Sequence, residues 1–158
     1  MKHVERHHSD HTPAQLFNLV KDVEQYPYFL PWVVSARVLS RRHETMRSEI
    51  TMGTSLLSKR FTTVAQLHFP HRMEINSDDP LFERFQQIWT FTPTAEGGTD
   101  VEYRLDLELR SKLLQVLVSA SFAEGTETMV KAYMRHANRL CRREAKYATA
   151  ATGRGRGS

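Results

Sequence analysis

Four of the eight histidines fall within the first eleven residues, at His3, His7, His8 and His11, a density that raises the question of a metal ion. On an extended chain His3, His7 and His11 share a face but spread over about 27 Å, too far to converge on one ion. Asp78 and Asp79 ahead of Pro80 read as a turn, because no glycine-centred loop with a closing glutamate follows them. Cys141 stands alone, with no second cysteine for an internal disulfide or a zinc site. No glycine-rich phosphate loop occurs. Metal, thiol and phosphate chemistry are all disfavoured, and no catalytic residue, metal ligand or cofactor is assigned.

The elements that must position any site follow from periodicity. Thr12, Pro13 and Gln15 read as N-cap, first helical residue and capping-box partner, and Leu16, Phe17, Val20 and Val23 then share one face of a helix over 13–23. Residues 3–9 before it read as an edge strand with poor alternation. Pro27 and Pro31 make 26–33 a stiff bend with room for one helical turn. From Val34 the period becomes two, through segments around 34–38, 45–52, 61–69, 73–75, 85–91 and 100–110, joined by short, turn-rich connections. That pattern is an antiparallel meander with one dry and one solvated face. From 113 to 147 the apolar spacing lengthens to three and four, giving a helix long enough to cross the sheet, with a break early in it allowed. Gly125 inside it costs about 1 kcal/mol relative to Ala. Either a neighbour's close approach or a break between two helical pieces offsets that cost. The fold class is α+β, one domain over 1–147, with ATAATGRGRGS over 148–158 read as a disordered tail.

The dry face then decides which chemistry is available. It presents Met46, Ser48, Ile50, Met52, Phe61, Thr63, Leu67, Met73, Ile75, Phe85, Gln87, Trp89, Phe91, Tyr103, Leu105 and Leu107. None is a carboxylate, a histidine or a cysteine, so general acid–base and nucleophilic catalysis lack their titratable group, and the chain is expected not to be an enzyme. A large apolar wall with Ser48, Thr63, Gln87, the Tyr103 hydroxyl and the Trp89 N–H as polar points suits a greasy small molecule. Its methionines adapt to variable contents.

The 22 Lys and Arg exceed the 18 acidic residues by four, and much of the excess lies in Arg135, Arg139, Arg142, Arg143, Lys146, Arg154 and Arg156. A basic end of this kind suits a polyanion such as a ribosome or an anionic lipid surface. The aromatics are expected to point inward, leaving no stacking platform for single strands, and no DNA partner is assigned. The start of the chain has neither the apolar core of a signal peptide nor the look of a transit peptide, and no run reaches a bilayer span. The expectation is a cytoplasmic protein, with peripheral contact at the inner membrane allowed.

The loop DVEQYPYFLPW, the opening TPAQLFNLV, the strand segments IWTFTP and VEYRLDLEL, and MVKAYMRHANRL near the end together resemble the coenzyme Q-binding branch of the START-like (polyketide cyclase/dehydrase-like) superfamily. Two departures stand out. Val33 occupies the place where the family often has Cys after the Trp, and MRHA replaces an arrangement in which Arg directly precedes Ala. The resemblance implies a helix-grip fold, a curved sheet wrapped around the C-terminal helix with a lipid cavity between them. It also implies ubiquinone or a related polyprenyl lipid as ligand, held without turnover in support of respiratory electron transfer. Bacterial relatives described as toxins that block association of ribosomal subunits make the ribosome the alternative partner. On this reading Phe29, Leu30, Pro31 and Trp32 form a rigid gate beside the cavity. Ile50, Phe61, Met73, Phe85, Trp89 and Tyr103 of the sheet, with Phe122 and Met129 of the last helix, line it, and Trp89 flanks the ligand's head group.

Overall fold

The computed structural model describes residues 1–54 and 56–153. Strands β1 (Lys2–Ser9), β2 (Val33–Arg42), β3 (Thr45–Gly53), β4 (Ser58–His68), β5 (Arg72–Asn76), β6 (Phe82–Pro93) and β7 (Thr99–Leu109) form one sheet. Its order is β1-β7-β6-β5-β4-β3-β2, antiparallel throughout. Helix α1 (Pro13–Lys21) and a 3₁₀ turn (Val23–Tyr28) precede β2, and helices α2 (Lys112–Ser119) and α3 (Phe122–Gly153) follow β7. The α+β architecture is therefore the expected one, a curved antiparallel sheet closed by a long C-terminal helix. The weakly patterned start of the chain is an edge strand, held because β7 next to it supplies a full antiparallel register from Lys2↔Asp106 to Ser9↔Thr99.

Local chemistry explains the helix starts. The Thr12 hydroxyl accepts from the Gln15 N–H at 3.2 Å, and the Gln15 side chain accepts from the Thr12 N–H at 2.9 Å, so the capping box is complete. Pro13 sits where its missing N–H costs nothing. The helix stops at Lys21, two residues short of the expected end, and Val23 instead begins the 3₁₀ turn that carries Pro27. Register shifts between Val33 and Ser35 and between Val38 and Ser40 in edge strand β2, and between Phe82 and Arg84 in β6, bend these strands around the core.

On α3, Val130, Tyr133 and Ala137 form the buried stripe that lies against the sheet. The chain breaks at Ala120 and Ser121, between α2 and α3, not at Gly125. Gly125 lies in the first turn of α3 and faces Trp32, where an added Cβ would stand 3.9 Å from the indole, an ordinary contact distance. Neither expected reason compels a glycine there. The helix also runs past residue 147 to Gly153, because Ala148, Ala150 and Ala151 are strong helix formers. The remainder of the expected tail, with Arg154 and Arg156, lies outside the described residues, as does Ser55 in the β3–β4 connection.

The core centres on Trp89, 1% exposed. Its indole packs against Tyr103 (ring centroids 4.6 Å), Tyr133 (4.9 Å) and Phe91 (5.9 Å). Such a ring fills space that nothing else can reach, so Trp89→Ala is expected to remove about 3–5 kcal/mol of stability. Urea denaturation with an unchanged m-value and a shifted midpoint checks this. A midpoint equal to the parent's would show that the ring borders open space.

Candidate functional site

A cavity of about 60 Å³ lies between the sheet, the 3₁₀ turn and α3. Strand alternation builds its floor, because residues facing each other across neighbouring strands point the same way. Ile50 opposes Phe61, Ser48 opposes Thr63 and Met46 opposes Ala65 across β3 and β4, and Ile75 opposes Gln87 across β5 and β6. Met52, Met73 and Phe85 complete the floor. Val20, Val23, Tyr26, Leu30 and Val33 close one side, and Met129 and Tyr133 of α3 form the roof.

The residues lining this space include no carboxylate, histidine, cysteine or basic group. Its polar points are Ser48, Thr63, Gln87 and two tyrosines. Tyr26 donates to the Val20 carbonyl, and the Tyr133 ring meets the Tyr26 ring edge-on with centroids 5.4 Å apart. Burial pushes both phenols well above their ordinary range, so both stay neutral at physiological pH. The cavity can enclose an apolar body and offer it neutral hydrogen bonds.

Of the gate and pocket residues expected from sequence, Leu30, Ile50, Phe61, Met73, Phe85 and Met129 line the cavity. The other six do not. Trp89 and Tyr103 are buried in the core beside it, and the Trp89 N–H finds no acceptor among the described residues. Phe29 turns onto α3, stacking on His136 at 3.9 Å and meeting Tyr26 and Tyr133 edge-on. Pro31 is half-buried in the bend. Trp32 is 44% exposed and points to Gly125, its backbone in the left-handed region at φ 64°, a strain of order 1–3 kcal/mol. Phe122 meets His3 at the start of α3. The sequence reading nominated neither Tyr26 nor Tyr133. The signal for Tyr133 was its place on the apolar stripe of the last helix.

The N-terminal histidines take carboxylate and amide partners. His3 and His7 both contact Glu5, His8 contacts Asp100, and the His11 Nε2 lies 2.8 Å from the Asn138 Oδ1. A second, polar groove of about 570 Å³ opens on the far side of the 3₁₀ turn, between Leu19, Asp22, Gln25 and Tyr28 and, on α3, His136, Arg139, Leu140 and Arg143. Tyr28 is 82% exposed there, against the expectation that every aromatic points inward. A three-residue period in the 3₁₀ turn points Tyr26 and Tyr28 in different directions, about 120° apart.

Residues 9–134 match the family model for polyketide cyclase/dehydrase and lipid transport. The chain belongs to that family. It is 33% identical over 129 residues to the ribosome association toxin RatA of Pseudomonas aeruginosa, covering 81% of this chain and 90% of that one. It is 29% identical over 134 residues to the mitochondrial coenzyme Q-binding protein COQ10 homolog B of Xenopus laevis, covering 82% of this chain and 55% of that one. A START superfamily protein from Mycobacterium smegmatis superposes with a TM-score of 0.75 at 17% identity, covering 88% and 98% of the two chains, which shows the shared fold. The curved sheet gripping α3 is the helix-grip arrangement of this START-like family. Among the described residues no helix is long and apolar enough to cross a membrane.

His136 gives this family member a pH response. Burial, then the neighbouring Arg139, holds its imidazole below the ordinary 6.5, while Asp22 pulls the other way and Arg143 adds to the lowering. A lowered histidine destabilises the fold when it charges, so stability is expected to fall as pH drops from 6.5 toward the folded value. Glu74, Glu102 and Glu127 are lowered from 4.5, so their stabilisation is lost only further down. Denaturation midpoints between pH 7 and pH 5 test this; replacing His136 with Gln is expected to flatten that decline, and an equally steep decline would rule His136 out.

Proposed function

We propose that the chain is a non-catalytic carrier that encloses a polyprenyl quinone, ubiquinone or a near relative, and delivers it in support of respiratory electron transfer. The observation that carries this reading is the cavity wall, apolar, rich in methionine and supplied only with neutral polar groups. A quinone ring is flat, apolar on its faces and accepts hydrogen bonds at its carbonyls, which the Ser48 and Thr63 hydroxyls and the Gln87 amide can donate. The likeness to a coenzyme Q-binding protein supports the same ligand. Cyclase or dehydratase chemistry, which the family name also covers, would need a base to take up a proton, and the cavity lining offers no carboxylate or histidine and holds its phenols protonated.

Pockets that enclose drug-sized ligands run to about 300–1,000 Å³, so the walls must move for a ring to enter. Met46, Met52, Met73 and Met129 provide that movement, since an unbranched thioether changes rotamer at little cost. The isoprenoid tail of a full-length quinone exceeds the interior and would extend out of it. Solvent extraction of the purified chain followed by mass spectrometry is expected to recover a prenyl quinone. The Ser48→Ala, Thr63→Val double variant is expected to bind added ubiquinone about tenfold more weakly, from two lost hydrogen bonds. Extracts free of quinone, with no quenching of tryptophan emission by added ubiquinone, would overturn the carrier reading.

A second reading, association with the ribosome, is favoured by the polar groove. Arg139 and Arg143 line it beside the exposed ring of Tyr28, and Arg142 and Lys146 continue the positive charge along α3. Cations beside an exposed aromatic suit a phosphate backbone with an unstacked base. The likeness to RatA points the same way. Co-sedimentation with ribosomal subunits is expected at low salt, weakening steeply as salt rises. Arg139→Glu with Arg143→Glu is expected to abolish it, and co-sedimentation that survives both the charge reversal and high salt would exclude the groove.

A further inference from the structure

We propose that the end of the molecule carrying α2 docks on an anionic lipid bilayer. This goes beyond the ligand reading and stands without it. The strand register brings the parts together. Leu109 ends β7 opposite Phe82 at the start of β6, Gly53 ends β3 opposite Ser58 at the start of β4, and the Gly53 N–H donates to the Trp32 carbonyl at 2.8 Å. Trp32, Leu56 and Leu57 of the β3–β4 connection, and α2 therefore rim the same end of the sheet. The Leu109 N–H donates to the Gln115 side chain at 2.9 Å, which ties α2 to it.

Helix α2, KLLQVLVS, is apolar on two sides. Leu114 and Val118 turn inward onto the cluster of Phe61, Phe82, Phe85 and Leu109. Leu113, Val116 and Leu117, spaced three and four apart, form a second face that is 56–71% exposed. A surface helix with one apolar stripe needs one partner; this one has a stripe left over. Leu56, 95% exposed, and half-exposed Leu57 and Trp32 add apolar side chains on the same rim.

Two observations favour a bilayer over a second protein surface. The apolar groups project separately, from a connection, a bend and a helix, and fluid acyl chains accept such projections where a protein partner would need a matching hole for each. The rim is also flanked by Lys59 and Lys112, neither held in an ion pair among the described residues, while Arg110 is paired with Glu83. Exposed leucines between free lysines complement anionic headgroups over an apolar interior. Of the exposed acids at this end, Glu83 is the partner of Arg110, and Asp78 and Glu124 are outnumbered by Lys2, Lys59 and Lys112.

The full chain mixed with phosphatidylcholine–phosphatidylglycerol vesicles is expected to float with them, and its tryptophan emission to shift blue and to be quenched by brominated lipid, through Trp32. Trp89 is too deeply buried to respond. Leu113→Glu with Leu117→Glu is expected to lower vesicle binding by about tenfold or more while leaving the thermal melt unchanged, since both side chains face outward. Arg142→Glu with Arg143→Glu, on the overhanging end of α3, is expected to leave binding intact. Absence of flotation overturns the proposal, as does binding lost through the arginine pair but not the leucine pair. A dimer in solution that the leucine variant converts to monomer would assign the surface to a second copy instead.

Discussion

Tyr133 is where the three parts of the molecule meet. Its ring takes Trp89 of the sheet at 4.9 Å, Tyr26 of the 3₁₀ turn at 5.4 Å and Phe29 of the bend at 5.5 Å, all edge-to-face. Edge-to-face pairs fix both distance and angle, so this one side chain sets how far α3 stands from the sheet and where the bend closes. The cavity is the space left over beside this junction, and its height is set by it.

The fold is polar along the axis of α3. One end of the helix begins beneath a rim of exposed leucines and a half-exposed tryptophan. The other, tied to α1 through Glu144 and Gln15 and to His11 just ahead of α1 through Asn138, continues as a basic, solvent-facing overhang. The contacts suited to lipid and those suited to a polyanion thus lie at opposite ends and do not compete for the same residues.

The meander was legible because alternation is a local property. In β7, Val101, Tyr103, Leu105 and Leu107 had to share a face once the segment was extended. The capping box at Thr12 and Gln15 is equally local, and the loop YPYFLPW carried the family. What the sequence could not rank is which inward residues leave space between them. Trp89 was expected to flank a ligand because it is large, but its size is met by Phe91 two residues along β6, by Tyr103 of β7 and by Tyr133 of α3. Smaller and more flexible residues such as Ser48, Thr63 and Met129 are what leave the gap. The direction of Phe29 and Trp32 was likewise set by α3, more than ninety residues away. In α2, apolar residues that share one helical spacing in the sequence have an inner and an outer set, a distinction that only the position of β7 creates.

The methionine wall ties accommodation to oxidative lability. Four of the six methionines, Met46, Met52, Met73 and Met129, border the cavity. A thioether that bends aside for a bulky guest is also the side chain that peroxide converts to a sulfoxide, polar and chiral, in a lining with no matching donor for each new oxygen. Met46 and Met73 are almost wholly buried, so an oxidant reaches them through the same parting of the walls that admits a guest. A resident apolar molecule would therefore shield its own container. Time spent open and unfilled sets the rate at which the lining is damaged, and repair by a sulfoxide reductase requires the walls to part once more.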